Sequence, residues 1–325
     1  MAERRRLGET DVTLPRVGVG CRGFGSRVDA RQATRIVDAA LDRGVAFFDT
    51  ADAYGLGASE ECLGRAIAGR REQVVVATKF GMSMNGRNGP EHARASKRYL
   101  RRALAASLRR LGTDYLDLYQ LHTPDRVTPL PETIAAMAEL VDEGWVRAIG
   151  SSNLTADEVA TADDIAAMRG SRRFVTVQDE YSLYNRSAEA ELVPTCRRRD
   201  IGLLPYFPLA SGRLGAGTKP ARSAYDGHPA ASPAHDLAET DRAVLERLEA
   251  FARARSITPA TLAIGYLAAQ PEVVSVIAGA SGPEQVVANS TALAWTPTAA
   301  DLRELAAMPH TAASYTTFAT RPRSR

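Results

Sequence analysis

Short apolar runs alternate with amphipathic segments along most of the chain. Each run is rich in Val, Ile, Leu and Tyr, is bounded by turn residues, and has the length of a strand that is buried on both faces. Eight runs follow this pattern. They predict strands at residues 17–20, 45–49, 74–78, 115–121, 146–151, 174–178, 201–206 and 273–277.

The segments between these runs have the spacing of amphipathic helices. In one of them Leu100, Leu104, Leu108 and Leu111 fall on one helical face, and Gly112 ends the helix. Other segments show similar spacing or a capping residue at their start. They predict helices at about 30–43, 59–67, 134–141, from 155 onward, and at 192–199, 241–255, 258–269 and 283–289.

The order of these elements predicts an α/β fold, namely a (β/α)8 TIM barrel with an N-terminal β-hairpin over residues 4–14 and extra helices. Repeated strand–helix units require a parallel sheet, and eight of them match a closed barrel. A doubly wound open sheet is the alternative, but its glycine fingerprint does not follow the first strand. No shift in composition marks a second domain. We therefore expect one domain over 1–325, with its core at about 6–308 and a mobile tail at 309–325.

Composition excludes several classes of protein. The hydrophobic fraction of 45% and the charged fraction of 24% are ordinary for a globular protein. A net charge of +3 is too small to indicate a nucleic-acid or membrane partner. The start of the chain lacks the apolar run of a signal peptide, and no stretch is long enough to span a membrane. We expect a cytoplasmic protein, with its oligomeric state open.

The cysteines do not indicate a metal site. Cys21, Cys62 and Cys196 are far apart in sequence and form no CxxC or Cys/His cluster. They are interpreted as reduced thiols, and no structural zinc is expected.

Three ionisable residues stand at the ends of successive predicted strands. They are Asp49, Lys79 and His122, and Tyr54 lies in the loop after the first of them. In a barrel these strand ends converge on one face. A cation near a phenol makes its proton easier to transfer, and a carboxylate can hold that cation in place. Any one of these residues alone has an ordinary structural explanation, whereas four in this order favour a catalytic site.

Three motifs carry a resemblance to a known family: FDTADAYG at 48–55, ATKFG at 77–81 and LYQLH at 118–122. They resemble the aldo-keto reductase family, and the similarity extends over about 6–308. The resemblance implies a (β/α)8 barrel, an NADPH cofactor and a small-molecule carbonyl substrate. It also implies that Tyr54 is the proton donor, that Lys79 and Asp49 support it, and that His122 positions the carbonyl. Asp52 is interpreted as an ordinary loop residue.

The same resemblance implies a set of residues that bind the cofactor. Ser152, Asn153 and Gln178 match the residues that hold the nicotinamide carboxamide, and Tyr206 matches the aromatic residue that stacks on the ring. Helix capping, burial and barrel-rim packing are their ordinary alternatives. Further matching positions are Gly20 and Cys21 at the end of the first strand and Asp49 at the end of the second. Phe207, Leu209 and Ser211 match after the seventh strand, and Gly279, Ser281, Gln285 and Asn289 match around the start of the last helix.

Two details depart from the cofactor-binding pattern of the family, the first at the pyrophosphate and the second at the adenosine phosphate. Phe207 stands where the family has a serine, and the stretch at 279–289 has no Lys or Arg, although many relatives have one there. Lys219 or Arg222, in the long loop at 211–238, could supply that positive charge. NADPH is therefore expected, and NADH is possible.

Two other functions stay open at this point. One is a specialised sugar or nucleotide-sugar oxidoreductase of secondary metabolism. The other is an NADP(H)-sensing regulatory subunit that resembles potassium-channel β subunits. The substrate pocket is expected to be lined by residues 21–28, 82–95, those after His122, and 211–238, with Arg22 and Phe24 as candidate walls. These segments do not identify the substrate or the physiological direction of the reaction.

Overall fold

A computed structural model describes residues 3–89, 92–215 and 239–311. Eight parallel strands form one sheet, and a separate antiparallel hairpin precedes it. Each of the first six barrel strands pairs with the next in chain order, and the last strand pairs with the first. The hairpin strands are β1 (Arg4–Arg6) and β2 (Thr13–Pro15), and the barrel strands are β3 (Val17–Gly20), β4 (Phe47–Asp49), β5 (Val75–Phe80), β6 (Leu116–Leu121), β7 (Val146–Ser152), β8 (Thr176–Glu180), β9 (Gly202–Tyr206) and β10 (Val276–Gly279).

The sheet closes on itself between β9 and the segment just before β10. Leu203 forms a parallel bridge with Val273, its amide donates to the Glu272 carbonyl at 2.7 Å, and its carbonyl accepts from the Val274 amide at 3.0 Å. The predicted (β/α)8 barrel with an N-terminal hairpin is confirmed.

Helices follow the strands and cover the outside of the barrel. They are α1 (Ala30–Asp42), α2 (Ala58–Ala66), α3 (Lys97–Leu111), α4 (Leu130–Asp142), α5 (Ala156–Arg169), α6 (Leu192–Arg199), α7 (Glu239–Ala254), α8 (Pro259–Ala268), α9 (Pro283–Thr291) and α10 (Ala299–Ala307). In the described part of the chain, no helix is both long and apolar enough to cross a membrane.

Capping side chains set several helix boundaries. Asp29 accepts a hydrogen bond from the Gln32 amide at the start of α1. Thr155 and Glu158 form a reciprocal capping box at the start of α5. Gly112 ends α3 in the left-handed conformation, which glycine adopts without steric cost. These boundaries follow from local sequence, and they fix where each loop at the barrel rim begins.

The hairpin closes the N-terminal end of the barrel, here called the base. Leu7, Val12 and Leu14 from the hairpin are buried against a second apolar cluster inside the barrel. The barrel residues of this cluster are Phe47, Ala77, Leu118, Ala148, Val175, Leu204, Val274 and Ile277. The opposite end, where the strands finish, is here called the rim.

Two parts of the pattern differ from the structure. The last strand is Val276–Gly279 rather than 273–277, because Val273 is used for the bridge that closes the sheet. The structure also has helix α10, which the apolar spacing did not separate from the preceding segment. It begins with a capping box between Thr298 and Asp301 and buries Leu305. A capping box was therefore the local signal for this helix.

Candidate active site

The rim brings Asp49, Tyr54, Lys79 and His122 together. Asp49 is the last residue of β4, Lys79 lies near the end of β5, and His122 directly follows β6. The amide of His122 donates to the Phe80 carbonyl at 2.8 Å, which continues the pairing of β5 and β6 beyond the strand. Parallel pairing of neighbouring strands is what places these three side chains at one end of the barrel.

Lys79 and Asp49 form an ion pair inside the barrel. Lys79 Nζ donates to Asp49 Oδ2 at 2.7 Å and to the Thr50 carbonyl at 2.8 Å. Lys79 is fully buried and Asp49 is 2% exposed. Burial by itself lowers the pKa of Lys79, but the charge of Asp49, the influence of Tyr54 and hydrogen bonds to both raise that pKa above its usual value. The lysine is therefore a permanent cation at neutral pH.

Tyr54 opens a short 3-10 turn whose backbone is unusual. Gly55, Leu56 and Gly57 all have positive φ angles, of 59°, 53° and 98°. A Cβ atom on Gly57 would lie 2.6 Å from Arg110 Cδ, so only glycine fits here without a shift of that side chain. This tight turn leads directly into α2 and holds the phenol over the end of the barrel.

The phenol of Tyr54 lies between a cation and an imidazole. Lys79 Nζ is 5.3 Å from the centroid of the Tyr54 ring. The rings of Tyr54 and His122 meet edge to face, with centroids 5.7 Å apart. Burial, together with the positive charges of Lys79 and Arg22, holds the pKa of His122 well below its ordinary value. The imidazole is therefore neutral at pH 7.

Two amide side chains complete the shell around Asp49. Gln178 Nε2 donates to Asp49 Oδ1 at 3.0 Å, and Gln120 Nε2 lies 3.4 Å from the same atom. Gln178 was expected at the cofactor, and its amide nitrogen also supports the ion pair. Gln120 was not singled out in the sequence. The available signal was its position two residues before His122, because residues two apart in a strand share one face.

Asn153 connects the rim residues of three strands. Its Nδ2 donates to the His122 carbonyl at 2.9 Å and to Ser152 Oγ at 3.0 Å, and its Oδ1 accepts from the Tyr206 hydroxyl at 2.9 Å. Asn153 itself has a φ of 58°. Asparagine tolerates this left-handed conformation better than most residues. Ser152, Asn153, Gln178 and Tyr206 therefore lie in one connected region next to the ion pair.

The segment after β9 is held in a strained backbone. Phe207, Ala210 and Ser211 have φ angles of 55°, 49° and 55°, which are uncommon for residues with a side chain. Leu209 accepts hydrogen bonds from the Gly212 and Leu214 amides at 2.9 and 3.1 Å. Ser211 Oγ is buried and has no hydrogen-bond partner among the described residues. Strain and an unsatisfied hydroxyl in one short loop are typical of a site that binds a polar ligand.

The start of α9 forms a second small polar group. Gln285 Oε1 accepts from the amide of Ser281 at 2.6 Å and from its hydroxyl at 3.0 Å, and Asn289 Nδ2 donates to the Gly279 carbonyl at 3.3 Å. A Cβ atom built on Gly279 meets no atom within 4 Å, so the backbone there borders open space.

Gly20 ends the strand next to these residues, and Cys21 directly follows it. Gly20 pairs with Gly279 in the sheet. The Cys21 amide donates to the Asp49 carbonyl at 2.8 Å, and its thiol is fully buried with Sγ directed at the Val19 carbonyl. Burial and the charge of Asp49 raise the pKa of this thiol well above its usual range. The buried thiol is therefore not a reactive thiolate.

Four further predicted residues have separate outcomes. Lys219 and Arg222 lie outside the described residues. Of the two candidate pocket walls, Arg22 lies with its guanidinium carbon 5.9 Å from the Tyr54 ring centroid, whereas Phe24 is fully buried in the core. Within the described ranges, no group of three or more His, Cys, Asp and Glu residues could hold a metal ion.

Asp52 is not the ordinary loop residue that the sequence analysis predicts. It lies in the loop between Asp49 and Tyr54, but its side chain is fully buried and accepts a hydrogen bond from Asn88 Nδ2 at 3.0 Å. No local sequence pattern indicates this contact, because Asn88 belongs to a different, glycine-rich loop.

Comparison with known proteins adds independent findings. The sequence model of the Aldo/keto reductase family matches residues 16–308. The uncharacterized oxidoreductase YrpG of Bacillus subtilis (strain 168) is 36% identical over 296 residues, which cover 86% of this chain and 87% of that protein. Versiconal hemiacetal acetate reductase of Aspergillus parasiticus is 31% identical over 297 residues, which cover 83% of this chain and 86% of that protein.

A solved structure agrees with these sequence matches. The holo form of the aldo-keto reductase AKR11C1 from Bacillus halodurans superimposes with a TM-score of 0.76 and 31% sequence identity, and the match covers 98% of this chain and 99% of that one. The family match, the relatives and the barrel with its rim residues lead to the same result. The chain belongs to the aldo-keto reductase family, and it is an oxidoreductase that uses a nicotinamide cofactor.

Proposed function

We propose that this protein is an NADPH-dependent reductase of aldehydes or ketones, in which Tyr54 donates the proton that the new alcohol needs. The observation that carries the proposal is the buried ion pair of Lys79 and Asp49 directly beside the Tyr54 ring. An ion pair that is so deeply buried is costly to desolvate. Its position beside a phenol at the barrel rim indicates that the ion pair serves the reaction rather than stability.

Lys79 places a cation beside the phenol of Tyr54. A free phenol has a pKa of about 10 and is a weak acid at neutral pH. A neighbouring ammonium stabilises the phenolate that remains after transfer, and Lys79 keeps its charge because its own pKa is raised. Asp49 fixes the ammonium, while Gln178 and Gln120 fix Asp49. The chain of contacts thus orients the cation toward the phenol.

His122 positions the carbonyl oxygen. Its ring is neutral, so it does not compete with Tyr54 as a strong acid. Nδ1 is buried and has no hydrogen-bond partner among the described residues, so no acceptor there would stabilise a proton on it. We therefore assign the proton to Nε2, where it can donate to the substrate oxygen next to the Tyr54 hydroxyl. Two donors that converge on one oxygen also stabilise the charge that develops on it.

The rim residues fit a nicotinamide dinucleotide. The buried hydroxyl of Ser211, which has no hydrogen-bond partner within residues 3–89, 92–215 and 239–311, can donate to a phosphate oxygen, and the open backbone at Gly279 allows close approach. Ser152, Asn153, Gln178 and Tyr206 would hold the nicotinamide end, with Gly20, Cys21, Phe207 and Leu209 along the same rim. Ser281, Gln285 and Asn289 would hold the adenosine end. When bound, the reduced cofactor supplies the hydride for the carbonyl carbon.

The preference for NADPH over NADH rests on the family and on Lys219 or Arg222 as cations for the extra phosphate. Residues 279–289 contain no Lys or Arg. A sugar carbonyl is the narrower substrate within the proposed class. Oxidation of NADPH and of NADH with a panel of aldehydes, ketones and keto-sugars would resolve both points.

The test of the proton donor is Tyr54→Phe, which removes one hydroxyl. Loss of general acid catalysis should lower kcat by about 10²- to 10⁴-fold. The Kd of NADPH, measured by quenching of protein fluorescence, should change less than about twofold. Tyr115→Phe is the matched control, since Tyr115 lies at the base, where Arg71 and Arg147 stack on its ring. Wild-type turnover in Tyr54→Phe would refute the role of Tyr54.

A further inference from the structure

Asp52 is a buried acid that the proposed chemistry does not use. Its side chain is fully buried, and its backbone amide donates to the Lys79 carbonyl at 3.2 Å. One carboxyl oxygen, Oδ2, accepts from Asn88 Nδ2 at 3.0 Å. The other, Oδ1, is buried and has no hydrogen-bond partner in the described part of the chain.

Asn88 also has a buried oxygen without a donor among the described residues. It is 4% exposed, its amide nitrogen is used by Asp52, and its own Oδ1 is buried without a partner among the described residues. Two acceptor oxygens that flank one hydrogen bond, both without a donor, are costly to bury. A single proton on Asp52 Oδ1, directed at Asn88 Oδ1, would satisfy both atoms at once.

The charges around Asp52 favour that proton. Burial raises its pKa well above the ordinary value, the Glu60 carboxylate of α2 raises it further, and Arg110 of α3 lowers it. Arg110 is already engaged with Glu60, with Nε 2.7 Å from Oε2, and Thr78 of β5 donates to Glu60 Oε1 at 2.5 Å. The phenol of Tyr119 on β6 also lies near Asp52, and burial raises the pKa of that phenol as well. Arg110 thus neutralises Glu60, which leaves Asp52 to bind a proton, while the Arg102 guanidinium lies against Gly89 beside Asn88.

The contact joins two loops of the rim. Asp52 lies two residues before Tyr54, and Asn88 lies in the segment 81–89 that leaves the end of β5 directly after Lys79 and Phe80. Apart from Asn88, the side chain that anchors this segment in the interior is Met84, which is fully buried. Asn85, Gly86 and Arg87 between them are exposed. Asn88 is therefore a buried polar anchor at the end of the exposed stretch from Asn85 to Arg87.

We propose that protonated Asp52 and Asn88 form a cyclic pair of two hydrogen bonds, and that this pair holds segment 81–89 against the loop that carries Tyr54. Asp52 and Asn88 are positioning residues, since neither contacts the reacting atoms. The inference rests on the proposed function for its effect on the substrate, because segment 81–89 borders the same rim as Tyr54 and His122. The pair itself can be tested without any substrate.

The first test measures the pair in the free protein. Hydrogen exchange of peptides that cover 81–89 should become about tenfold faster in Asn88→Ala, because two hydrogen bonds are lost. Asp52→Asn should keep slow exchange, since two amides can form the same cyclic pair without a charge. Arg87→Ala, in the same loop but exposed, is the control. The infrared band of a protonated carboxylic acid should be present in the wild type and absent in Asp52→Asn.

The second test measures the consequence for the reaction. Asn88→Ala should raise KM for the carbonyl substrate by about tenfold, in line with the same two bonds, and change kcat less than about twofold. Asp52→Asn should restore a KM close to that of the wild type. The neutral pair is refuted if Asp52→Asn exchanges as fast as Asn88→Ala, or if Asp52→Asn still shows the infrared band of the protonated acid. Wild-type exchange in Asn88→Ala refutes it as well, whereas failure of the proposed reductase activity would leave the exchange and infrared results unaffected.

Discussion

The two ends of the barrel interior are built from the same strands but have opposite chemistry. At the base, Phe47, Ala77, Leu118 and Leu204 form a dry apolar cluster beneath the hairpin. Two residues further along each of these strands stands a polar rim residue, which continues the same inward face. In strand order these rim residues are Asp49, Lys79, Gln120 and Tyr206.

A change from apolar to polar residues at one step of the two-residue strand repeat separates stability at the base from chemistry at the rim. The base cluster is stabilised by apolar packing against the hairpin. The rim satisfies Asp49 and Lys79 with each other and with Gln178, but leaves His122 Nδ1 and Ser211 Oγ without a partner among the described residues. Base variants should therefore change folding, and rim variants should change the reaction. Three experiments test that division.

The largest effect is expected for Lys79→Met, which should damage both properties. It removes the cation beside Tyr54, so kcat should fall by about 10²- to 10⁴-fold. It also leaves the Asp49 carboxylate buried without its partner, which costs about 3–5 kcal/mol of stability. Steady-state kinetics and urea denaturation measure the two effects.

Lys97→Met is the control for that variant. Lys97 is half exposed and pairs with Glu139 on the surface at 2.7 Å, so its loss should change stability by less than about 1 kcal/mol. A Lys79→Met enzyme with normal turnover would contradict the assigned role of the ion pair.

A smaller and purely structural effect is expected for Leu118→Ala at the base. Leu118 is fully buried two residues before Gln120. The cavity should lower the free energy of unfolding by about 2–5 kcal/mol. In conditions where the protein stays folded, kcat/KM should change less than about twofold. Leu118→Ile, which conserves volume, should cost less than about 1.5 kcal/mol. A large loss of kcat/KM in folded Leu118→Ala would show that the two ends are coupled.

The smallest effect concerns the pH dependence of stability, to which His122 at the rim contributes. Its folded pKa is lowered, so below pH 6.5 the unfolded chain binds a proton that the folded protein does not. This group should therefore remove about 1 kcal/mol of stability as the pH falls from about 6.5 to about 5.5. Denaturation of His122→Asn across this range should show a shallower decline than the wild type.

His310→Asn is the control for the titration, because His310 is exposed. It should keep the slope of the wild type. An equal slope in His122→Asn and the wild type would mean that His122 is charged in the folded protein.

The order of elements was predictable because it depends on local patterns. Buried strands are continuous apolar runs, and residues such as Asp29, Thr155 and Gly112 mark helix ends through their own hydrogen bonds or backbone preference. The convergence of Asp49, Lys79 and His122 followed once eight strand–helix units were counted, since parallel strands end on one side of a barrel. The roles of these residues came from the family resemblance and stay proposals.

Other features depend on contacts that no local pattern contains. Asp52 is a loop residue by sequence, and its burial requires Asn88 from another loop. The left-handed backbone at Phe207 and Ser211 occurs without glycine, so composition does not reveal it. The link from Tyr206 to Asn153 joins residues 53 positions apart. Geometry of this kind is set by tertiary packing rather than by propensity.

The hairpin at the base also determines how the enzyme can be attached to a support. Strand β1 begins at Arg4, at the end of the barrel opposite to Tyr54. A tag or surface linker fused before this strand would leave the molecule at its closed end. In a layer immobilised in this way, the rim of each molecule would face the solution. The proposed carbonyl compounds would then reach the rim without crossing the support.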